Sequence, residues 1–357
     1  MLGRRLKNAL GAMALLVCGG CGGAEPAVQL ADVNVARGER ADLQLEVPAG
    51  KEDPATFIPL SVIAGERDGP TVLMVAGVHG YEFPPILAAD RLAREITPEM
   101  LSGTVIIVRV AHVSAYEDRA PYVNPFDRKN LNRSFPGSSD GTQAERIAHV
   151  LSTVVIPAAD FVFDVHGGDG AEWLEAFVGV YGGPLATDYE QALGTAQSMG
   201  FPNIVRYSMN TQQQVDQRRS LNRQAVAQGL PTVLVEAGQN GSRDDVHVDL
   251  IVSGMRSALT YLGLLQGPES QAAVTPRYFD GTQSVPVTHS GLWYPTRRAG
   301  KVEAGERLGE IRDYQGVTVE TVTAPASGYG IYGLAGPPVR AGDSVMTIAQ
   351  PVDSLEE

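Results

Sequence analysis

Two histidines and two glutamates stand where this chain could perform hydrolysis. Gly77-Val78-His79-Gly80-Tyr81-Glu82 follows the apolar run TVLMVA, and His166 closes the run FVFDVH, with Gly167 and Gly168 after it. A histidine and a carboxylate three residues apart in a turn can reach one cation. A second histidine from another strand end would complete a set of two imidazoles and one carboxylate, which with an open position is the ligand set of a catalytic zinc. Structural zinc sites are instead closed by four protein ligands, often cysteine. The body of this chain has no cysteine, because Cys18 and Cys21 both lie near its start. Asp164 precedes His166 by two residues and so shares its strand face. There it can accept a hydrogen bond from the ligand imidazole and fix its tautomer. Glu236 closes a third apolar run, PTVLVE. A carboxylate at that position could take a proton from an attacking water and pass it to a leaving amine. Taken singly, each histidine reads as a turn or core residue and the glutamate as a surface helix cap; the three strand ends together point to one site.

The elements that must position these residues follow from the apolar runs. Residues 55–64, 71–76, 103–110, 161–166 and 231–236 read as strands, several of them apolar enough to be buried on both faces. Helices are expected over 84–96, 144–153 and 188–199. This alternation predicts an α/β fold with a mixed sheet flanked by helices, in which ligands bind beyond the carboxyl ends of the strands. Gly80 is expected to let the chain turn tightly after His79. Between the strand 103–110 and the helix 144–153 lies a long loop, 111–141, rich in Pro, Asn, Asp and Arg. Loops of that length without secondary structure are usually functional or disordered. It carries Asn130-Leu131-Asn132-Arg133, and an arginine fork suits a substrate carboxylate. Among the basic residues Arg119, Arg128, Arg133, Arg218, Arg219 and Arg223, Arg133 and then Arg119 stand out.

After Gly267 the pattern changes to short strands with frequent Gly and Pro. The phrases AGKVEAGERLGEI and APASGYGIYGLAGPPVRAGDSVMTIA look like the halves of a barrel-sandwich hybrid, a small all-β domain of the biotinyl/lipoyl type. Residues 319–324, where such a domain would carry its cofactor lysine, have none. The expected organisation is therefore a signal segment over 1–21, a tether and N-terminal segment over 22–54, a hydrolase domain over 55–267 and a β domain over 268–357.

The net charge of −13 gives no reason to bind nucleic acid or an anionic membrane face. At the N-terminus Arg4, Arg5 and Lys7 precede a short apolar run and then small residues. That is the pattern of a secretory signal, too short for a membrane span. It predicts export in a bacterium, to the periplasm or as a lipoprotein anchored through Cys21, which follows Gly19 and Gly20.

GxHGxE, NLNRxFPG, DxHGG and VExG, in this order, resemble the succinylglutamate desuccinylase/aspartoacylase family of the zinc carboxypeptidase-like clan. The match covers most of the chain after about residue 55, and the β segment is similar to theirs. The gap from Glu82 to His166 suits the deacylases better than the peptidases. The resemblance implies one zinc ion per chain on His79, Glu82 and His166, with Glu236 as general acid and base. It further implies that Asn132 and Arg133 grip the substrate carboxylate and that Arg119 polarises the scissile carbonyl. Arg223 would be a further carboxylate contact, and Tyr294 the aromatic hydroxyl reaching in from the β domain. The expected activity is removal of an acyl group from an N-acyl amino acid. The alternatives are an exported metallocarboxypeptidase or murein-peptide amidase acting on short peptides, and a binding protein without activity that captures an acidic solute.

Overall fold

The computed structural model describes residues 12–15, 26–217, 219–267 and 274–356. The signal segment thus lies outside the described residues, apart from a short strand, Ala12–Leu15, paired with Arg40–Val47. Residues expected as a tether are instead strands: Pro26–Leu30 pairs with Val33–Ala36, and Arg40–Val47 pairs along its whole length with Thr56–Ala64. Their alternation explains the pairing, since Ala41, Leu43, Leu45 and Val47 are buried and the residues between them are not.

One mixed sheet runs through the molecule. Three neighbours at its centre, Arg67–Ala76, Phe161–His166 and Thr232–Glu236, are parallel. Ser102–Val108 continues the parallel set on the outer side of Arg67–Ala76. The sequence runs were apolar on both faces because both faces are covered. Val72, Met74 and Ala76 face one cluster, with the helices Phe83–Glu95, Tyr189–Ser198 and Asp245–Tyr261 packed on it. Leu73 and Val75 face the opposite cluster, covered by Gln143–Val150 and Leu221–Ala227. Each large side chain buried this way contributes about 1.5–3 kcal/mol.

The C-terminal strands are not detached from this sheet. Arg277–Pro286 pairs parallel with Asn203–Ser208 and antiparallel with Ser344–Val352, which pairs in turn with Gly328–Leu334. Beyond them Gly291–Pro295, Arg307–Arg312, Thr318–Thr323 and Pro338–Val339 form a separate small sheet over their own core of Trp293, Leu308, Ile311 and Val345. Among the described residues no helix is long and apolar enough to cross a membrane.

Candidate active site

The three parallel strands at the centre of the sheet end side by side, and each end delivers one part of the site. His166 is the last residue of its strand and lies in register with Glu236, the last residue of the neighbouring one. The third strand ends at Ala76, and a turn carries His79 back over the sheet edge. Gly77 adopts φ +69°, which glycine tolerates best, and a Cβ there would come within 2.9 Å of the Val110 backbone. Gly80 has a different reason from the one its turn suggested. A Cβ on it would collide with the backbone of Ala115 and Tyr116, in the short helix Val113–Glu117 that leans on the turn. Glu82 then sits at the N-cap of Phe83–Glu95.

His79, Glu82 and His166 are buried and converge, with their ligand atoms all within 4.8 Å of one another. His79 Nδ1 lies 2.7 Å from Glu82 Oε1, and His166 Nδ1 lies 3.0 Å from Glu82 Oε2. The two outer nitrogens face second partners: His79 Nε2 is 3.1 Å from Asn130 Oδ1, and His166 Nε2 is 3.0 Å from Asp164 Oδ1. With the Nε2 atoms turned towards Asn130 and Asp164, a cation shared with Glu82 would be met by the two Nδ1 atoms. Without a cation, burial opposes charge on the rings, but facing carboxylates outweigh it. Glu82 raises His79, while Asp164 and Glu82 raise His166. Glu82 itself is held down at about 2, the two imidazoles outweighing its own burial. The cluster favours positive charge at its centre, and two imidazole nitrogens with a carboxylate are a donor set suited to a divalent ion.

Around the cluster is a cavity of about 450 Å³. Glu236 lines it, and burial pushes its carboxyl well above the usual range, with His166 pulling the other way. Asn132 and Arg133 line it too, from the tight turn Leu131–Arg133 that Asn130 caps by accepting from Asn132 N at 2.7 Å. Asn132 Oδ1 accepts from Leu221 N at 3.0 Å, which pins the long loop to the start of the helix Leu221–Ala227. Arg133 also borders an adjoining recess of about 520 Å³ with Arg219 and Arg223. Burial and the neighbouring Arg223 both lower the Arg133 pKa, as expected where guanidinium groups gather without an acid among them. Such a recess calls for an anion.

Two expected contacts lie elsewhere. Arg119 is exposed in the turn after Val113–Glu117, at φ 50°, outside the cavity lining. The same loop instead brings Tyr122 to the cavity wall, where its ring stands edge-on to His79 with centroids 5.7 Å apart. Tyr294 is also exposed, with the Arg312 guanidinium 4.5 Å from its ring centre. Strand neighbours face opposite sides, so burying Trp293 turns Tyr294 outward. The C-terminal strands instead bring Tyr332 to the cavity lining, with Thr282, Ser284 and Thr347.

A residue not singled out in the sequence also supports the site. His112 follows the fourth parallel strand and is fully buried. Its Nδ1 donates to Val78 O at 3.3 Å, beside His79, and its Nε2 accepts from Asn124 Nδ2 at 2.9 Å. Burial pushes its pKa down to about 4, so it remains a neutral peg between the ligand turn and the long loop. Replacing it by Leu takes one of two partners from Asn124 Nδ2, which keeps its bond to Gln143 Oε1, and removes the imidazole donor from the Val78 carbonyl. His112→Leu is therefore expected to cost about 1–3 kcal/mol, read as a lower midpoint in urea unfolding. A histidine after a fourth apolar run, residues 103–110, was the signal available for it.

Comparison with known proteins gives the following. Residues 68–262 match the model of the succinylglutamate desuccinylase/aspartoacylase catalytic domain. The N-alpha-acetyl-L-2,4-diaminobutyric acid deacetylase of Halomonas elongata is 28% identical over 321 residues, which cover 87% of this chain and 92% of the relative. A succinylglutamate desuccinylase/aspartoacylase structure from Rhodobacter sphaeroides superposes with a TM-score of 0.80 at 23% identity, covering 92% of this chain and 100% of that one. The product-bound ectoine utilization protein EutE (DoeB) of Ruegeria pomeroyi gives 0.79 at 23% identity, covering 91% and 99%.

Proposed function

The chain belongs to the succinylglutamate desuccinylase/aspartoacylase family, and from that premise we propose that it is a zinc-dependent amide hydrolase that removes the acyl group from an N-acyl amino acid. The observation that carries this reading is the convergence of both Nδ1 atoms on Glu82, with Glu236 at the adjacent strand end in the same cavity. A zinc ion held by His79, Glu82 and His166 would polarise an amide carbonyl and acidify a water. Glu236 takes a proton from the attacking water and returns it to the departing amine, leaving a carboxylate and a free amino acid. Asn132 and Arg133 bind the substrate carboxylate and fix the amide against Glu236. Asp164 and Asn130 orient the two imidazoles. Tyr122, from the loop that was expected to supply an arginine, stands on the cavity wall edge-on to His79.

The cavity volume supports a small substrate over a long peptide stem. The Halomonas elongata relative, by its name, acts on an N-acetylated diamino acid, and the same class is the first to try here. Protein purified with chelator and then resupplied with zinc would be assayed for amine release from N-acetyl-2,4-diaminobutyrate, N-acetylaspartate, N-succinylglutamate and short peptides. Zinc-restored release from an N-acyl amino acid is the expected result. Release from peptides alone would transfer the assignment to a metallocarboxypeptidase or murein-peptide amidase. One bound zinc with no release would favour the solute-binding alternative. Export, with or without a lipid on Cys21, is the companion proposal, and fatty-acid labelling of the expressed protein would test the lipid.

A further inference from the structure

Three glutamates line the cavity: Glu82, Glu236 and Glu172. The first belongs to the metal cluster and the second moves the proton. The deacylation just described gives Glu172 nothing to do, yet it is held with care. It lies on the short strand Glu172–Leu174, paired with Gly328–Leu334, and its carbonyl accepts from Asn240 N at 2.7 Å. Its carboxylate accepts from Asp169 N at 3.0 Å and bonds with the Tyr122 hydroxyl. Both partners are neutral. A carboxylate offers about four acceptor positions, so two remain. Burial pushes its pKa up to about 7, and the acids Glu82, Asp169 and Glu236 are among the charged groups acting on it. It is only 9% exposed, and what exposure it has is to the cavity. A buried carboxylate among acids is costly unless a cation joins it.

The cavity is thus bipolar. Arg133, backed by Arg219 and Arg223, forms a wall for an anion, while Glu172 presents unused acceptors on another part of the lining. We propose that Glu172 is a specificity residue that binds a side-chain ammonium, so that the preferred substrates are N-acyl amino acids bearing a second, free amine. The inference rests on the reading of this cavity as an N-acyl amino acid site and names the substrate class within it. Acidic N-acyl amino acids, whose side chain would bring a second carboxylate, are correspondingly disfavoured.

The test is calorimetric titration of the zinc-loaded full chain with L-2,4-diaminobutyrate and with L-2-aminobutyrate, which has the same carbon skeleton without the second amine. The diamine is expected to bind roughly 10- to 100-fold more tightly, the range for a hydrogen bond to a charged group. Glu172→Gln should erase that preference while leaving the affinity for 2-aminobutyrate, the zinc content and the thermal midpoint unchanged. A merely structural role would instead move both affinities and the midpoint together, and that result overturns the proposal. So does equal binding of the two compounds by the unaltered protein, binding of neither, or a preference that survives in Glu172→Gln. If Glu172→Gln fails to fold, Glu172→Asp keeps the charge on a shorter reach and should retain a reduced preference; an undiminished one would exclude the role. The deacylase reading fails separately: a binding preference intact, with no amine released from any N-acyl substrate, sinks that reading and leaves this one standing.

Discussion

Glu236→Gln is expected to lower kcat by roughly 10²- to 10⁴-fold, the usual contribution of a positioned general acid and base. The amide keeps the size and one oxygen of the carboxylate but can neither accept nor return a proton. Glu236 lies opposite His166 in the strand register, and no hydrogen bond ties it to the ligand cluster, so the metal site should survive the change. KM should move little, because the groups proposed to grip the substrate carboxylate, Asn132 and Arg133, come from a different segment. Steady-state kinetics together with zinc content by mass spectrometry separate the outcomes. Lost turnover at full zinc occupancy assigns the proton transfer to Glu236. Retained turnover would move that role to another group of the cavity lining.

The second large effect concerns the cluster itself. His166→Ala removes one of the three proposed ligands and leaves two buried carboxylates, Glu82 and Asp164, facing the gap. Zinc occupancy is expected to fall from one per chain to a small fraction, and amine release with it. Asp164→Asn is a gentler version, since it keeps the shape beside His166 Nε2 and removes the charge. Loss of such an outer partner typically weakens metal binding 10- to 100-fold. Competition with a fluorescent chelator reads both variants. A ligand whose loss left zinc affinity unchanged would place the metal elsewhere. Zinc should also stabilise the fold, by about 2.7 kcal/mol at a free concentration 100-fold above its Kd, so chelation should lower the thermal midpoint of the unaltered protein and leave that of His166→Ala in place.

The central strands and their terminal residues were legible because burial on both faces writes itself as an uninterrupted apolar run. TVLMVA, FVFDVH and PTVLVE end where the structure ends their strands, at Ala76, His166 and Glu236. The N-terminal strands were harder to see because they alternate with exposed polar residues and begin in a segment of small side chains. Asp245–Tyr261, the longest helix among the described residues, follows a stretch of Gly, Asn, Ser and Asp that hides its start in the sequence. Around the site, contacts carried by regular structure were readable and contacts carried by a bend were not. The chain turns through a left-handed residue at Arg119 and another at Tyr122. Two such turns decide which side chain meets the cavity, and local spacing does not encode them. Tyr294 failed for a simpler reason: alternation beside the buried Trp293 already put it on the outer face.

The neighbouring strand ends that form the site are distant along the chain, His79 and His166 being separated by more than eighty residues and Glu236 lying further on. Nothing short-range can therefore preassemble it. A nascent or partly folded chain offers a metal only the His79–Glu82 pair, and the second imidazole joins when Phe161–His166 slots in beside Arg67–Ala76. Pairing across such separations is slow, because loop closure must precede the contacts that reward it. Tight metal uptake during refolding should consequently lag behind helix formation and report completion of the central sheet, making the ion a clock for the last long-range step of assembly.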